Sequence, residues 1–288
     1  MAGGILSASS SPAHCPHIIV IESRDVSDHR FRSVLVEATR WVVATVAWLV
    51  VMAMGQATVA SASTHGLGSS RFALPSVQNA RIGALFSGSV AGGHYCTASV
   101  VDSPGGDVII TAAHCLSRSA SRTVFVPGYR DGTEPYGVWQ LDRIVVDSRW
   151  TADNDPDHDV AFAVLDPLNG KEIQQVVGAN ALDVNADATA PVTLTGYPDS
   201  EDEPITCSNS IGLYSDTQLR IDCANYTDGT SGSPWVVPGH AGAHHDENLV
   251  LGVIGGFEQG GYTPDISYSV RFDDDASVLY QQAVTQVR

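Results

Sequence analysis

Gly229-Thr230-Ser231-Gly232-Ser233-Pro234-Trp235 sets a serine between glycines and ends on a proline and a tryptophan. A glycine two residues before a serine lets the backbone bend so that amide N–H groups converge beside the hydroxyl. By itself such a stretch reads as a loop. Two segments nearer the N-terminus change that reading: Thr111-Ala112-Ala113-His114-Cys115 and His158-Asp159-Val160-Ala161-Phe162. A histidine at a strand end is ordinarily structural, and an aspartate before an apolar strand is ordinarily a turn residue. Their joint presence with the serine stretch, in the order His, Asp, Ser, weighs more than any one of them alone. A serine hydroxyl is a weak nucleophile and needs a neighbouring imidazole to take its proton, and a buried carboxylate fixes that imidazole's tautomer. Asp159 is preferred to Asp155 and Asp157 because it directly precedes the apolar strand.

Around these segments the chain alternates short apolar runs with turn residues. Strands are predicted at 81–86, 97–101, 108–111, 123–126, 138–146, 160–164, 191–195, 218–221, 235–237, 249–254 and 267–270. They are rich in Val, Ile and Thr and bounded by Gly, Pro, Asp and Ser. This spacing predicts an all-β antiparallel barrel or sandwich. One helix closes the chain. Asp273, Asp274 and Asp275 supply its N-cap and favourable charge, and Leu279, Ala283 and Val287, flanked by Tyr280 and Val284, form its apolar face.

Acidic side chains outnumber basic ones, 32 to 15, for a net charge of −17. Residues 1–62 contain four acids (Glu22, Asp25, Asp28, Glu37) and four bases (Arg24, Arg30, Arg32, Arg40), so the excess belongs to residues 63–288. Such a charge repels nucleic acid and anionic membranes, and neither is expected as a partner. The uncharged run from Trp41 to Met54 follows Arg40 and precedes Ala60-Ser61-Ala62. It is short for a bilayer span and reads as a secretory signal peptide cleaved after Ala62, with an extended segment before it. Translation beginning further in, at Val34 or Val36, would account for that extension. Residues 63–81 are expected to be a short pro-segment or linker, and residues 82–288 the functional domain. Cleavage removes Cys15 and leaves Cys96, Cys115, Cys207 and Cys223, an even number suited to disulfides in a secreted chain. No C-x-x-C pair exists, and His240, His244, His245, Asp246 and Glu247 lie in a glycine-rich loop rather than on a helix. Neither metal nor cofactor is expected.

The three segments resemble the signature blocks of chymotrypsin-fold, trypsin-like serine peptidases, and the Gly-x-Ser-Gly-Ser-Pro form resembles the bacterial secreted branch. The similarity runs from about Ile82 to the C-terminus. It implies two six-stranded antiparallel β-barrels with a C-terminal helix. It implies that His114 is the base, Asp159 its orienting acid and Ser231 the nucleophile, preferred to the competing Ser233 because a glycine follows Ser231 and none follows Ser233. The oxyanion hole would be the N–H groups of Gly229 and Ser231. The disulfides would be Cys96–Cys115 and Cys207–Cys223. The primary pocket would have Asn225 at its floor, Gly255, Gly256 and Phe257 as its wall and Asp228 at its rim. The implied protein is a secreted, monomeric endopeptidase acting on protein or peptide substrates with uncharged side chains of small to medium size. Trypsin-like members carry an aspartate before the nucleophile that binds a newly cut N-terminus. Thr230 has no charge for that role, so a cut at Arg81-Ile82 is not expected to be needed. An α/β-hydrolase is excluded by the residue order and the missing final glycine of G-x-S-x-G. A catalytically inactive homologue acting as a binding protein is the alternative, and the intact set of three residues speaks against it.

Overall fold

The computed structural model describes residues 66–186, 191–237 and 248–285. The expected signal peptide and the His240–Glu247 loop lie outside the described residues, and those described fall within the unit Thr64–Arg288.

Six strands close an antiparallel barrel: β2 (Ile82–Ser87), β3 (His94–Val101), β4 (Val108–Thr111), β5 (Thr123–Pro127), β6 (Trp139–Val146) and β7 (Ala161–Leu165), in the order β2-β3-β4-β7-β6-β5. Both faces of β4 and β7 are covered. Ile109, Ala161, Ala163 and Leu165 face a core containing Phe125 and Trp139. Val108, Ile110, Phe162 and Val164 face a second core shared with Phe272 and Leu279. Two-residue periodicity therefore survives, but both sets are apolar, and the strands read as continuous hydrophobic runs.

The second sheet has β8 (Ala181–Leu182), β9 (Pro191–Gly196), β10 (Ile205–Leu213), β11 (Gln218–Asp222), β12 (Pro234–Val237), β13 (Leu249–Val253) and β14 (Ile266–Val270). Its order is β14-β11-β10-β9-β12-β13-β8, with β1 (Arg71–Phe72) added beside β10. The sheet curls around Leu194, Ile221, Trp235 and Leu251. Its ladder stops short of closure. The gap between β13 and β14 is bridged by Val253 N–H donating to Ser269 Oγ at 2.9 Å and Gly255 N–H donating to the Tyr268 carbonyl at 3.0 Å. The implied pair of β-barrels is thus one closed barrel and one curled half-barrel.

The short helices are α1 (Val77–Ala80), α2 (Ser148–Asp153) and α3 (Ile173–Val177). The C-terminal helix α4 spans Asp274–Thr285 and buries Ala276, Leu279 and Ala283. Among the described residues, no helix is long and apolar enough to cross a membrane. Residues 66–81, sequence-read as pro-segment or linker, are tied to the second sheet: Gly68 forms a bridge with Cys223, β1 pairs with Ile205 and Thr206, and Ala73 is fully buried.

Candidate active site

His114 sits in a 3-10 turn, Ala113–Leu116, that begins where β4 ends. Cys96–Cys115 bridges this turn to β3, and Cys207–Cys223 forms the other expected disulfide. Asp159 is fully buried in front of β7. Its Oδ1 accepts from the His114 backbone N–H at 2.9 Å, and its Oδ2 lies 2.8 Å from His114 Nδ1. The Gly256 N–H donates to Oδ2 as well, at 2.9 Å. Trp150, the buried residue of α2, places its ring 6.4 Å from the imidazole. The rejected acids are used elsewhere. Asp155 caps a short turn through Asp157 N–H, and Asp157 accepts from Thr217 Oγ1 and Gln218 Nε2.

The Gly229–Trp235 stretch is brought against the same corner. Gly232 approaches so closely that a Cβ there would lie 2.1 Å from the Thr97 carbonyl oxygen and 3.2 Å from Ala112 N, two residues before His114. The two candidate serines separate clearly. Ser233 is fully buried and donates to the Thr230 carbonyl at 2.6 Å. Ser231 is partly exposed and lines a cavity of about 290 Å³. Its Oγ has no hydrogen-bond partner among the described residues.

The orientation of two amides follows from their carbonyls. In a trans peptide the N–H points opposite to the C=O. The Asp228 carbonyl is taken by the Asp199 N–H at 2.8 Å, and the Thr230 carbonyl by the Ser233 N–H at 3.0 Å together with Ser233 Oγ. The N–H groups of Gly229 and Ser231, in those same two peptide planes, are thereby turned the other way and donate to nothing among the described residues. Gly229 has φ +88°, and a Cβ on it would meet Asp199 N at 2.4 Å, so only glycine fits.

Thr97, which the sequence reading passed over as an ordinary strand residue, anchors this loop. It is fully buried, its N–H donates to the Ser231 carbonyl at 2.8 Å, and its Oγ1 donates to the Gly229 carbonyl at 3.1 Å. Thr230 satisfies its own hydroxyl on the Thr227 carbonyl at 2.6 Å.

The expected pocket residues are dispersed. The cavity beside Ser231 is lined by Tyr226, Thr227, Asp228, Thr230, Ile254 and the turn from Gln259 to Pro264. Asn225 has φ +68°, donates from Nδ2 to Ser70 Oγ at 3.1 Å and lines a separate cavity. Gly255 and Gly256 sit behind Asp159, and Phe257 joins a ring cluster with Tyr214, Tyr262 and Tyr268. Tyr226 was missed. It is buried, its hydroxyl donates to the Leu194 carbonyl at 3.0 Å, and burial holds its phenol protonated far above the usual range. The ligand atoms of Cys96, His114 and Cys115 cluster within 4.8 Å, but both sulfurs are spent in the disulfide.

A closed barrel and a curled half-barrel, carrying a buried Asp–His pair and a loop with a partly exposed serine, define a hydrolase of the serine peptidase type. The chain belongs to the trypsin-like peptidase domain family, whose model matches residues 96–240 and so covers all three signature segments. Among solved structures, it is similar to the protease Anisep from Arthrobacter nicotinovorans, at 24% identity, TM-score 0.63, with 75% of this chain and 100% of that one covered. A thermostable serine protease, AL20, from an extremophilic microorganism matches at 27% identity and TM-score 0.61, over 74% of this chain and 100% of the other. A Glu endopeptidase shares the fold at 18% identity and TM-score 0.59, over 77% and 98%. No curated protein sequence matches the chain.

Proposed function

We propose that the protein is a secreted serine endopeptidase, acting as a monomer, that cleaves peptide bonds through an acyl-enzyme on Ser231. His114 Nε2 takes the Ser231 proton as Oγ attacks the substrate carbonyl. Asp159 holds the imidazole and stabilises the imidazolium. The N–H groups of Gly229 and Ser231 receive the oxyanion, and His114 returns its proton to the leaving amine. Water then repeats the sequence on the ester and frees the product acid. No cofactor or metal enters these steps. The observation that carries the reading is the doubly bonded His114–Asp159 pair together with a partly exposed Ser231, on a loop whose Gly232 packs against Ala112 and whose Gly229 and Ser231 amides donate to nothing among the described residues. The two disulfides support export.

The cavity beside Ser231 supports a preference for uncharged side chains at the bond cleaved. Among the described residues no Lys, Arg or His lines it, so an acidic side chain finds no counter-charge from them. Labelling by a fluorophosphonate probe, with and without Ser231→Ala, tests the proposal. A wild-type chain that folds, keeps both disulfides and yet takes no label is a binding homologue instead.

A further inference from the structure

The residues before Ile82 are built into the loops that shape the Ser231 site. Gly68 N–H donates to the Asp222 carbonyl at 2.9 Å, and Ala224 N–H donates to the Gly68 carbonyl at 3.0 Å. Gly68 fits there only without a side chain: a Cβ would lie 2.7 Å from Cys207 Sγ. Ser70 Oγ accepts from Asn225 Nδ2 at 3.1 Å. Arg71 and Phe72 pair with Thr206 and Ile205, and Ala73 N–H donates to the Pro204 carbonyl at 2.8 Å. Arg130, from the first barrel's side, donates to the Ala73 carbonyl.

This segment thus grips two loops at once. One leads from Asn225 to Gly229, and Thr227 in it borders both the cavity beside Ser231 and the cavity under the strap. The other, residues 198–204, supplies the Asp199 N–H that holds the Asp228 carbonyl and so turns the Gly229 amide. Residue 82 offers no alternative anchor. Ile82 is buried at 1% exposure, and the Arg81 carbonyl before it accepts from Val100 N–H at 2.8 Å. Thr230 has its hydroxyl bonded locally and presents no charge to a new amine.

We propose that residues 66–73 remain attached in the active enzyme as a positioning strap, holding from outside the pocket wall and the Gly229 amide. Ser70 is a positioning residue for the wall, acting through Asn225. Activation then requires no cut between Arg81 and Ile82. The inference rests on the peptidase reading above.

The test uses the full-length chain after its natural processing. The active species is captured with the fluorophosphonate and its N-terminus sequenced. A start at or before Gly68 is expected, and a fully active species starting at Ile82 overturns the strap. Gly68→Val, which drives a side chain into the disulfide, is expected to lower kcat/KM for peptide amides at least about tenfold, since small displacements at a catalytic geometry are costly. Ser70→Ala is expected to raise KM about threefold with kcat unchanged, the size of one partly exposed hydrogen bond, and Ser70→Thr to restore it. Loss of Tm in Ser70→Ala with no change in KM also overturns the proposal, because a merely structural strap behaves that way. Absence of any labelling in the wild type sinks the peptidase reading itself, whereas a labelled enzyme beginning at Ile82 sinks only the strap.

Discussion

Asp159 holds His114 at two points, one oxygen on the backbone N–H and the other on Nδ1, at 2.9 and 2.8 Å. The ring and the chain that carries it are therefore fixed by a single carboxylate. Because an ionised carboxylate only accepts, Nδ1 is the protonated nitrogen and Nε2 is left with a free lone pair. Asp159→Asn substitutes an amide whose NH₂ competes as donor and favours the opposite tautomer. Turnover of a peptide amide is expected to fall by about four orders of magnitude, as for the same substitution in the reference serine protease triad. Steady-state kinetics beside a thermal melt checks this. A variant within tenfold of wild type would falsify the orienting role.

Ser231 and Ser233 are expected to fail in different ways. Ser231→Ala abolishes labelling and hydrolysis but leaves Tm near the wild-type value, since its hydroxyl bonds to nothing among the described residues. Ser233→Ala removes a buried bond to the Thr230 carbonyl and is expected to cost about 1–2 kcal/mol of stability. It also loosens the peptide plane carrying the Ser231 N–H, so kcat drops while labelling persists. Reversal of the two phenotypes reassigns the nucleophile.

Cys96–Cys115 joins the strand of Thr97 to the turn of His114, two parts of the site that come from different elements. The double substitution Cys96→Ser, Cys115→Ser is expected to cost roughly 3 kcal/mol by the chain-entropy estimate for a loop of this size. It should also lower kcat, because Thr97 positions the carbonyls of both Gly229 and Ser231. Denaturant titration and kinetics on the same preparation separate the two effects. Full activity in the folded variant would remove Thr97's strand from the account.

What was readable in advance follows from how much each residue's chemistry says by itself. His114, Asp159 and Ser231 stand in compact segments whose residue types have few joint explanations. Both disulfides and the C-terminal helix were legible, and the structure contains them. Thr97 was not, because a threonine in a strand is what β propensity alone would place there; its role lies in partners more than a hundred positions away. Strand β10 is not legible because its outward positions carry Thr206, Ser208 and Ser210, and Asn209 interrupts its inward face. The resemblance puts Asn225 at the pocket floor, but its left-handed backbone leads its side chain to Ser70. A matching position in the chain carries no information about such a turn.

Acid should weaken one surface tie. Asp147 caps α2 and pairs with Arg149 at 2.8 Å, and Arg149 in turn reaches Asp275 at the start of α4. The hydrogen bonds from Arg149 lower the Asp147 carboxyl from 3.8 to about 2. A carboxylate whose folded pKa lies below its unfolded value stabilises fully above the unfolded pKa and loses that contribution as pH falls through the folded one. The window is therefore pH 4 down to 2. Solvent screening limits the contribution to about 1 kcal/mol. Asp147→Asn keeps a good cap and removes the charge. Its melting temperature should fall below wild type at pH 7 and converge with it near pH 2. An equal deficit at both pH values would assign the loss to capping.

Substrate preference turns on the cavity beside Ser231. Tyr226, a buried residue of its lining, has its hydroxyl already committed to the Leu194 carbonyl and no donor to spare for a substrate. Also lining the cavity are Thr227, Ile254 and the turn containing Gly260, Gly261 and Thr263, all neutral. A lysine or arginine side chain entering it would lose water and gain no buried counter-charge, a costly exchange. Among the described residues Asp228 is the single carboxylate on the lining, and it is exposed. A solvated rim charge contributes about 0–1 kcal/mol, so Asp228→Asn should change kcat/KM for basic substrates by no more than about fivefold. Uncharged side chains of small to medium size should lead a positional-scanning peptide library, and Asp228→Asn should leave that ranking in place. A strong Arg or Lys preference that disappears in Asp228→Asn would show that the exposed carboxylate, and not the neutral lining, governs selection.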